Sequence, residues 1–496
     1  MNNEIMPNFI KNRAFLTPDR IALFFNEHTL TFKELYEQSY QVAGQLQKSG
    51  VKKDQFVGIL LKNHLDTVVI LFALQLLGVK AVMLNNRLTP AELAWQLNDS
   101  QAAFLIIEDS YEKADELLTL GLTIITKEQL VPADFEVPVI QEEINLTDVC
   151  TVMYTSGTTG NPKGVLQTYG NHWWSAVGSA LNLGFIDKDR WLCSVPLFHI
   201  SGFSILMRSV IYGMPVILHE SFDAKKTIEE ITNKQVTIMS VVGTMLTKVI
   251  ETLEDASLPS GFRCFLLGGG PAPLPLLKAC SAKEVPVFQT YGMTETSSQI
   301  VTLSPEYSLT KLGSAGKPLF PAQLQILSED GRGAGPMKAG EIVVKGPNVT
   351  TGYLNRPDAN KDKFRNGWFY TGDIGQLDEE GFLYVLDRRS DLIISGGENI
   401  YPAEIEAVLL AHPAVSEAGV TGLEDKIWGQ VPIAFVVAKN GSIVSEEELE
   451  QFCMGHLAKY KVPKKIRFIS KLPRNAAKKL LRRKLREMAE EGRTDR

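Results

Sequence analysis

The chain has 496 residues, 44% of them apolar and 22% charged, with a net charge of −6 at pH 7. That length exceeds one ordinary core, so two or more domains are expected, and the mild acidity gives no reason to expect a nucleic-acid partner. Cys150, Cys193, Cys264, Cys280 and Cys453 are scattered, odd in number and without metal-ligand spacing, which fits reduced thiols in a cytoplasmic protein.

The opening MNNEIMPNFIKNRAF has no apolar core behind a basic start, so no secretory signal is expected. TFKELYEQSYQVAGQLQKSG has helical spacing, with Thr31 as cap and Gly50 as stop. QFVGILL and KAVMLN are short strands around a helix. The most apolar stretch, Thr67 to Leu84, is interrupted by Gln75, Gly78 and Lys80. It reads as a buried helix running into a strand, not as a membrane span. AAFLIIED repeats the pattern, and the rhythm implies βαβ units around a parallel sheet. The middle of the chain continues it, with RWLCSVPLFH, MPVILHE, VTIMSVV, RCFLLGGG and VPVFQTYG as strands and DAKKTIEEITNKQ as a helix.

From about Gly313 the residues become rich in glycine and aromatics. GEIVVKG and GWFYTGDIGQLDEEGFLYVLDR predict antiparallel hairpins, with DEEG as a turn. YPAEIEAVLLAHPAV predicts a helix with Pro402 at its first position. AGVTG and VPIAFVVAK follow as strands, and SEEELEQFCMGHLAKY as a helix capped by Ser445. The last segment is basic: Lys461 to Arg486 holds twelve Lys/Arg and no Asp or Glu. The whole predicts an α/β fold. Residues 1–388 would form a large N-terminal domain of mixed, mostly parallel sheets with helices and a β-rich subdomain. Residues 389–496 would form a small, mobile α+β C-terminal domain, with a hinge near 388–391.

The stretch YTSGTTGNPKGV, Tyr154 to Val165, lies between an apolar run and a helix-like run. Gly157, Gly160 and Gly164 let backbone N–H groups turn toward an anion. Thr155, Ser156, Thr158 and Thr159 add hydroxyls, and Lys163 adds a charge for a triphosphate. Pro162 sits five residues after Gly157, so the spacing is not that of a Walker A loop.

YTSGTTGNPKG resembles the signature loop of the adenylate-forming superfamily of acyl-CoA synthetases, peptide-synthetase adenylation domains and luciferases. YGMTET (from Tyr291), YTGD (from Tyr370), DRRSDLIISGGENIYPAEIE (from Asp387) and LPRNAAKKLLR (from Leu472) resemble four further motifs, in family order and at family spacing. The resemblance implies ATP, Mg²⁺ and CoA, with a small-molecule carboxylate activated as acyl-AMP and passed to a thiol. It assigns Thr294 to the α-phosphate and Glu295 to the metal. Tyr291 and Gly292, with Gly269, Gly270 and Pro271, would form the adenine slot. Asp373 would take the ribose hydroxyls, with Arg388 as a charged donor. Lys479 would be the lysine that assists adenylation, although Lys478 stands where most relatives have glycine. Ser390 would be the hinge, where relatives often have Asp or Lys. Gly396 and Gly397 would give the pantetheine arm room to pass.

GNHWWSAVGSALNLG and DRWLCSVPLFHISGFSILMRSVIYG resemble most the branch that activates an aromatic keto-diacid. Its second carboxylate must be held without reacting, and His199 and Arg208 are the candidates. Ser201, Gly202, Gly243 and Ser298 would shape the pocket floor. A fatty, malonyl or other aryl acid keeps the same chemistry and stays open, as does a homo-oligomer. Nothing in the chain marks oxygen chemistry, and a non-catalytic nucleotide sensor would predict loss of Lys163, Glu295 or Lys479, all of which are present.

Overall fold

The computed structural model describes residues 4–112, 114–118, 121–130, 135–155, 162–269, 272, 274–328, 330–387, 392–400, 402–439, 441–473, 480 and 482–491. Strands Thr123–Thr126, Phe104–Ile107, Phe56–Leu60, Lys80–Met83 and Val149–Thr155 lie side by side and run parallel. Lys163–Thr168 and Gly352–Tyr353 extend this sheet antiparallel. Sequence runs such as FLII are apolar throughout because helices cover both faces of a parallel sheet.

The helix Phe32–Lys48 begins where its cap predicts. The Thr31 hydroxyl accepts from Glu34 N, and the Glu34 carboxylate accepts in return from Thr31 N at 2.8 Å. The apolar stretch after Leu65 is the buried helix Leu65–Leu77. It stops at Gly78 (φ +68°) and passes into the strand Lys80–Met83. Among the described residues no helix is long and apolar enough to cross a membrane.

A second, larger sheet has a parallel centre built of Ile21–Phe25, Val216–Leu218, Trp191–Cys193, Ile238–Val242, Cys264–Gly268 and Val287–Met293. The antiparallel region is hydrogen-bonded onto its edge. Val287–Met293 pairs with Ser298–Leu303, then Ser314–Pro318, then Leu383–Asp387. The β-rich region thus shares a sheet with the α/β part while keeping its own apolar cluster around Ile300, Ile342, Phe369 and Leu383. The DEEG turn forms as read, with Asp378 Oδ1 accepting from Glu380 N and Phe382 N.

Residues from Ile393 onward build a separate five-stranded sheet. Its hairpins are Ile393–Ser395 with Glu398–Ile400 and Val415–Asp425 with Gly429–Ala438, and Lys465–Phe468 runs parallel to the last. Helices Pro402–Ala411 and Glu446–His456 cover one core, and Arg482–Glu491 packs on Leu423, Phe435 and Leu472. The helix expected to reach Tyr460 ends at His456, and residues 459–461 form a tight 3₁₀ turn. That turn carries Lys461 inward to two glutamates, which the periodicity of its neighbours does not show. The five cysteines are buried and unpaired. The expected hinge, residues 388–391, lies outside the described residues.

Candidate active site

The two strands that flank the glycine-rich loop pair with each other. Val149–Thr155 pairs antiparallel with Lys163–Thr168, and Thr155 stands opposite Lys163. The segment after the loop, expected to be helical, is therefore a strand first. The helix Tyr169–Leu183 starts only after Thr168 caps it. Gly164 explains the close pairing, since a Cβ there would lie 2.9 Å from Val152. Ser156, Gly157, Thr158, Thr159 and Gly160 lie outside the described residues, as do Gly270, Pro271, Arg388, Ser390 and Lys479. Lys163 Nζ sits over the Tyr353 ring, 5.4 Å from its centre.

The segment Thr294–Ser297 lies beside these strands and is held by four successive carbonyls. Thr294 O accepts from Gln167 Nε2 at 2.8 Å, and Glu295 O from Thr350 N at 2.7 Å. Thr296 O accepts from Asn348 Nδ2 at 3.0 Å, and Ser297 O from Ser175 Oγ at 2.6 Å. Gly292 permits this folding back, because a Cβ would fall 2.1 Å from Ser298 O. A turn fixed from three segments needs little reorganisation when charge develops beside it.

Within it, the Glu295 carboxylate accepts from Tyr353 OH at 2.9 Å. Burial raises its pKa, with Asp373 adding to the effect, against the lowering by its backbone bond, Tyr353 and Lys163. A crowded carboxylate with a second acid nearby is suited to a cation. Among the described residues no cluster of three His, Cys, Asp or Glu could hold a metal. A single carboxylate completed by phosphate oxygens and water is the arrangement Mg²⁺ favours, so the donor set fits. Tyr291 OH donates to Asp373 Oδ2 at 2.7 Å, joining two motifs across the chain. Tyr291 itself is buried in the apolar cluster of the β-rich region.

One cavity of about 260 Å³ is lined by Thr155, Gly269, Gly292 and Thr294 and also by His199, Ser201, Ser240 and Ser298. Arg208 is not on its wall but directly behind. The guanidinium is 1% exposed, donates to Ser298 Oγ at 3.3 Å, and stacks over Trp191 at 5.1 Å. Trp191 Nε1 donates to Ser240 Oγ at 3.1 Å. Each serine oxygen thus accepts from a donor, which leaves its own proton available to another acceptor. No carboxylate pairs with Arg208 among the described residues, and burial lowers its pKa.

A buried chain runs between the two walls. Thr151 Oγ1 donates to Gln167 Oε1 at 2.9 Å, and His172 Nε2 lies 3.2 Å from the same hydroxyl. Since the Thr151 proton goes to Gln167, His172 is the donor to Thr151. Sequence reasoning missed Gln167, Thr151, Ser240 and Trp191; each stands in an ordinary strand pattern. Gly202 and Gly243, expected in the pocket floor, are absent from the wall. Gly202 is a packing glycine whose Cβ would meet Pro196 O at 2.2 Å, and Gly243 opens the helix Gly243–Thr252.

The small part closes the cavity. Gly396 (φ +57°) and Gly397 (φ +87°) form the tip of its first hairpin. Gly397 lies against Val242, while Gly396 faces the Trp428 indole, where a Cβ would come within 2.8 Å. Glu398 meets His199 Nε2 at 3.1 Å and Arg87 Nη1 at 2.8 Å. Burial works to raise the Glu398 pKa, but His199, Arg87 and Lys461 outweigh it and hold the carboxyl below the usual range.

The family profile described as AMP-binding enzyme matches residues 10–354, and that described as AMP-binding enzyme C-terminal domain matches residues 404–479. A 2-succinylbenzoate–CoA ligase from Geobacillus sp. (strain WCH70) is 59% identical, over 97% of each chain. The structure resembles an o-succinylbenzoate CoA synthetase double mutant from Bacillus subtilis bound with its product analogue OSB-NCoA. The TM-score is 0.94 at 53% identity, over 98% of both chains. The Bacillus subtilis enzyme in complex with ATP and magnesium ion is also 53% identical, over 97% of this chain and 100% of that one, with a TM-score of 0.77.

Proposed function

The chain belongs to the AMP-binding enzyme family, and from that membership we propose that it joins 2-succinylbenzoate to CoA, cleaving ATP to AMP and diphosphate. The observation that carries this reading is the single cavity. Its lining brings the strand end Thr155 and the Thr294 turn together with two serine hydroxyls, one of them backed by a buried cation, and a glycine tip from the small part.

In the first step a carboxylate oxygen of the acid attacks the α-phosphorus. The new P–O bond forms as the bond to diphosphate breaks. Lys163 and the loop amides hold the phosphates, Thr294 the α-phosphate, and Asp373 the ribose. Magnesium, when bound at Glu295, supplies positive charge to the phosphates. Lys479 brings a second cation to the reacting oxygens. In the next step the CoA sulfur attacks the acyl carbonyl and AMP leaves. Gly397 and His199 stand at the entrance that the pantetheine arm uses.

The unreactive carboxylate is held by the Ser298 and Ser240 hydroxyls, with Arg208 behind them. A buried guanidinium without an acid partner is costly, so an incoming carboxylate recovers part of that cost. The product is an intermediate of menaquinone assembly, and the supply of ATP and CoA places the reaction in the cytoplasm. Diphosphate release should appear with 2-succinylbenzoate alone, and the CoA thioester only when CoA is added. Equal turnover of monocarboxylate analogues would overturn the role given to the second carboxylate.

A further inference from the structure

Lys461 is 5% exposed, and its Nζ lies 2.8 Å from Glu92 Oε1 and 2.7 Å from Glu404 Oε1. Glu404 belongs to the helix Pro402–Ala411 of the same small part as Lys461, so that pair moves as one unit. Glu92 belongs to the helix Pro90–Ser100 of the large part. Only the Glu92 leg crosses between the two.

The Glu92 carboxylate is fixed before Lys461 arrives. Its Oε2 accepts from Thr89 N at 2.9 Å and Thr89 Oγ1 at 3.0 Å, which leaves Oε1 turned to Lys461. The same short segment makes three other crossings, one of them from Thr89 Oγ1 to His456 O at 3.5 Å. Asn85 Nδ2 meets Tyr460 OH at 3.4 Å, and Arg87 meets Glu398. Burial disfavours the Lys461 charge, but Glu404, Tyr460 and Glu92 outweigh it and keep the lysine protonated. Two glutamates serve one lysine, so withdrawal of the small part would break one leg without stranding the cation.

We propose that Glu92 is a positioning residue for thioester formation alone. It receives Lys461 when the Gly396–Gly397 tip is seated at the cavity, and is idle during adenylation. The arrangement seen here matches the product-analogue complex more closely than the complex with ATP and magnesium ion, at equal sequence identity. The inference rests on the ligase reading above.

The test is Glu92→Gln in the full chain, which removes the charge and keeps an oxygen for the helix cap. Adenylation is read as ATP–diphosphate exchange with 2-succinylbenzoate. Thioester formation is read from supplied acyl-adenylate and CoA. Exchange should stay within about twofold of the parent, while thioester formation slows at least about tenfold. In a Lys461→Gln background the same change should add nothing. Equal loss in both half-reactions, no loss in the second, or a full additional loss in the Lys461→Gln background would overturn the proposal. A parent enzyme that shows no exchange with this acid would instead overturn the ligase reading.

Discussion

The nucleotide side and the acyl side of the cavity are built in opposite ways. The nucleotide side consists of short contiguous runs: the paired strands flanking a glycine-rich stretch, and a turn whose four successive carbonyls are each held from elsewhere. The acyl side has no run at all. Arg208, Trp191, Ser240 and Ser298 come from one helix and three strands, and meet only through packing. Phosphate recognition uses backbone amides and small side chains, which a loop supplies locally. Holding a second carboxylate needs a desolvated cation with hydroxyls in front of it, and the core must assemble that.

The sharpest separation of the two sides comes from Lys479→Ala. Adenylation should fall about 10²- to 10³-fold, while thioester formation from supplied acyl-adenylate stays near the parent rate. Equal falls in both half-reactions would show that the lysine does not belong to the nucleotide chemistry. Arg208→Met tests the other side. The kcat/KM for 2-succinylbenzoate should drop about 10- to 100-fold with the KM for ATP unchanged. Melting should shift little, because a well-packed apolar side chain replaces an unpaired buried charge. A matching rise in the KM for ATP would mean that the two walls are not independent.

The smallest effect concerns the chain between the walls. Burial, with Arg208 second, lowers the His172 pKa to about 3, so the folded chain keeps the ring neutral. In the unfolded chain it takes up a proton near 6.5. Its contribution to stability is therefore complete above pH 6.5 and is lost as pH falls toward 3. His172→Asn retains a donor for Thr151 and removes the titration. Between pH 6.5 and 5 the variant should lose about 1.5 kcal/mol less stability than the parent, measured by urea unfolding. Identical slopes would mean that His172 is protonated in the fold.

Much of this was legible in the residues. Thr31 announced its helix because a capping box is a contact across three positions, and Gly50 its stop for a similar reason. The phosphate loop was legible by composition, yet the pairing of the strands that flank it was not. KGVLQT pairs as a strand because Val149–Thr155 is there to receive it. Ser298 was named without its partner, and Ser240 was not named, since neither carries a local pattern. Glu92 belongs to none of the motifs, and Lys461 was one more charge in a basic tail.

The sequence by itself determined most helices and strands and which reaction the motifs serve, because caps, periodicity and glycine loops act within a few residues; the helix end at His456 and the strand Lys163–Thr168 were exceptions. Tertiary structure alone decided which hydroxyls line the cavity, which arginine lies buried behind Ser298, and which glutamate meets Lys461 across the interface. Those properties depend on desolvation and on neighbours brought from distant segments, and no window of the chain contains both partners.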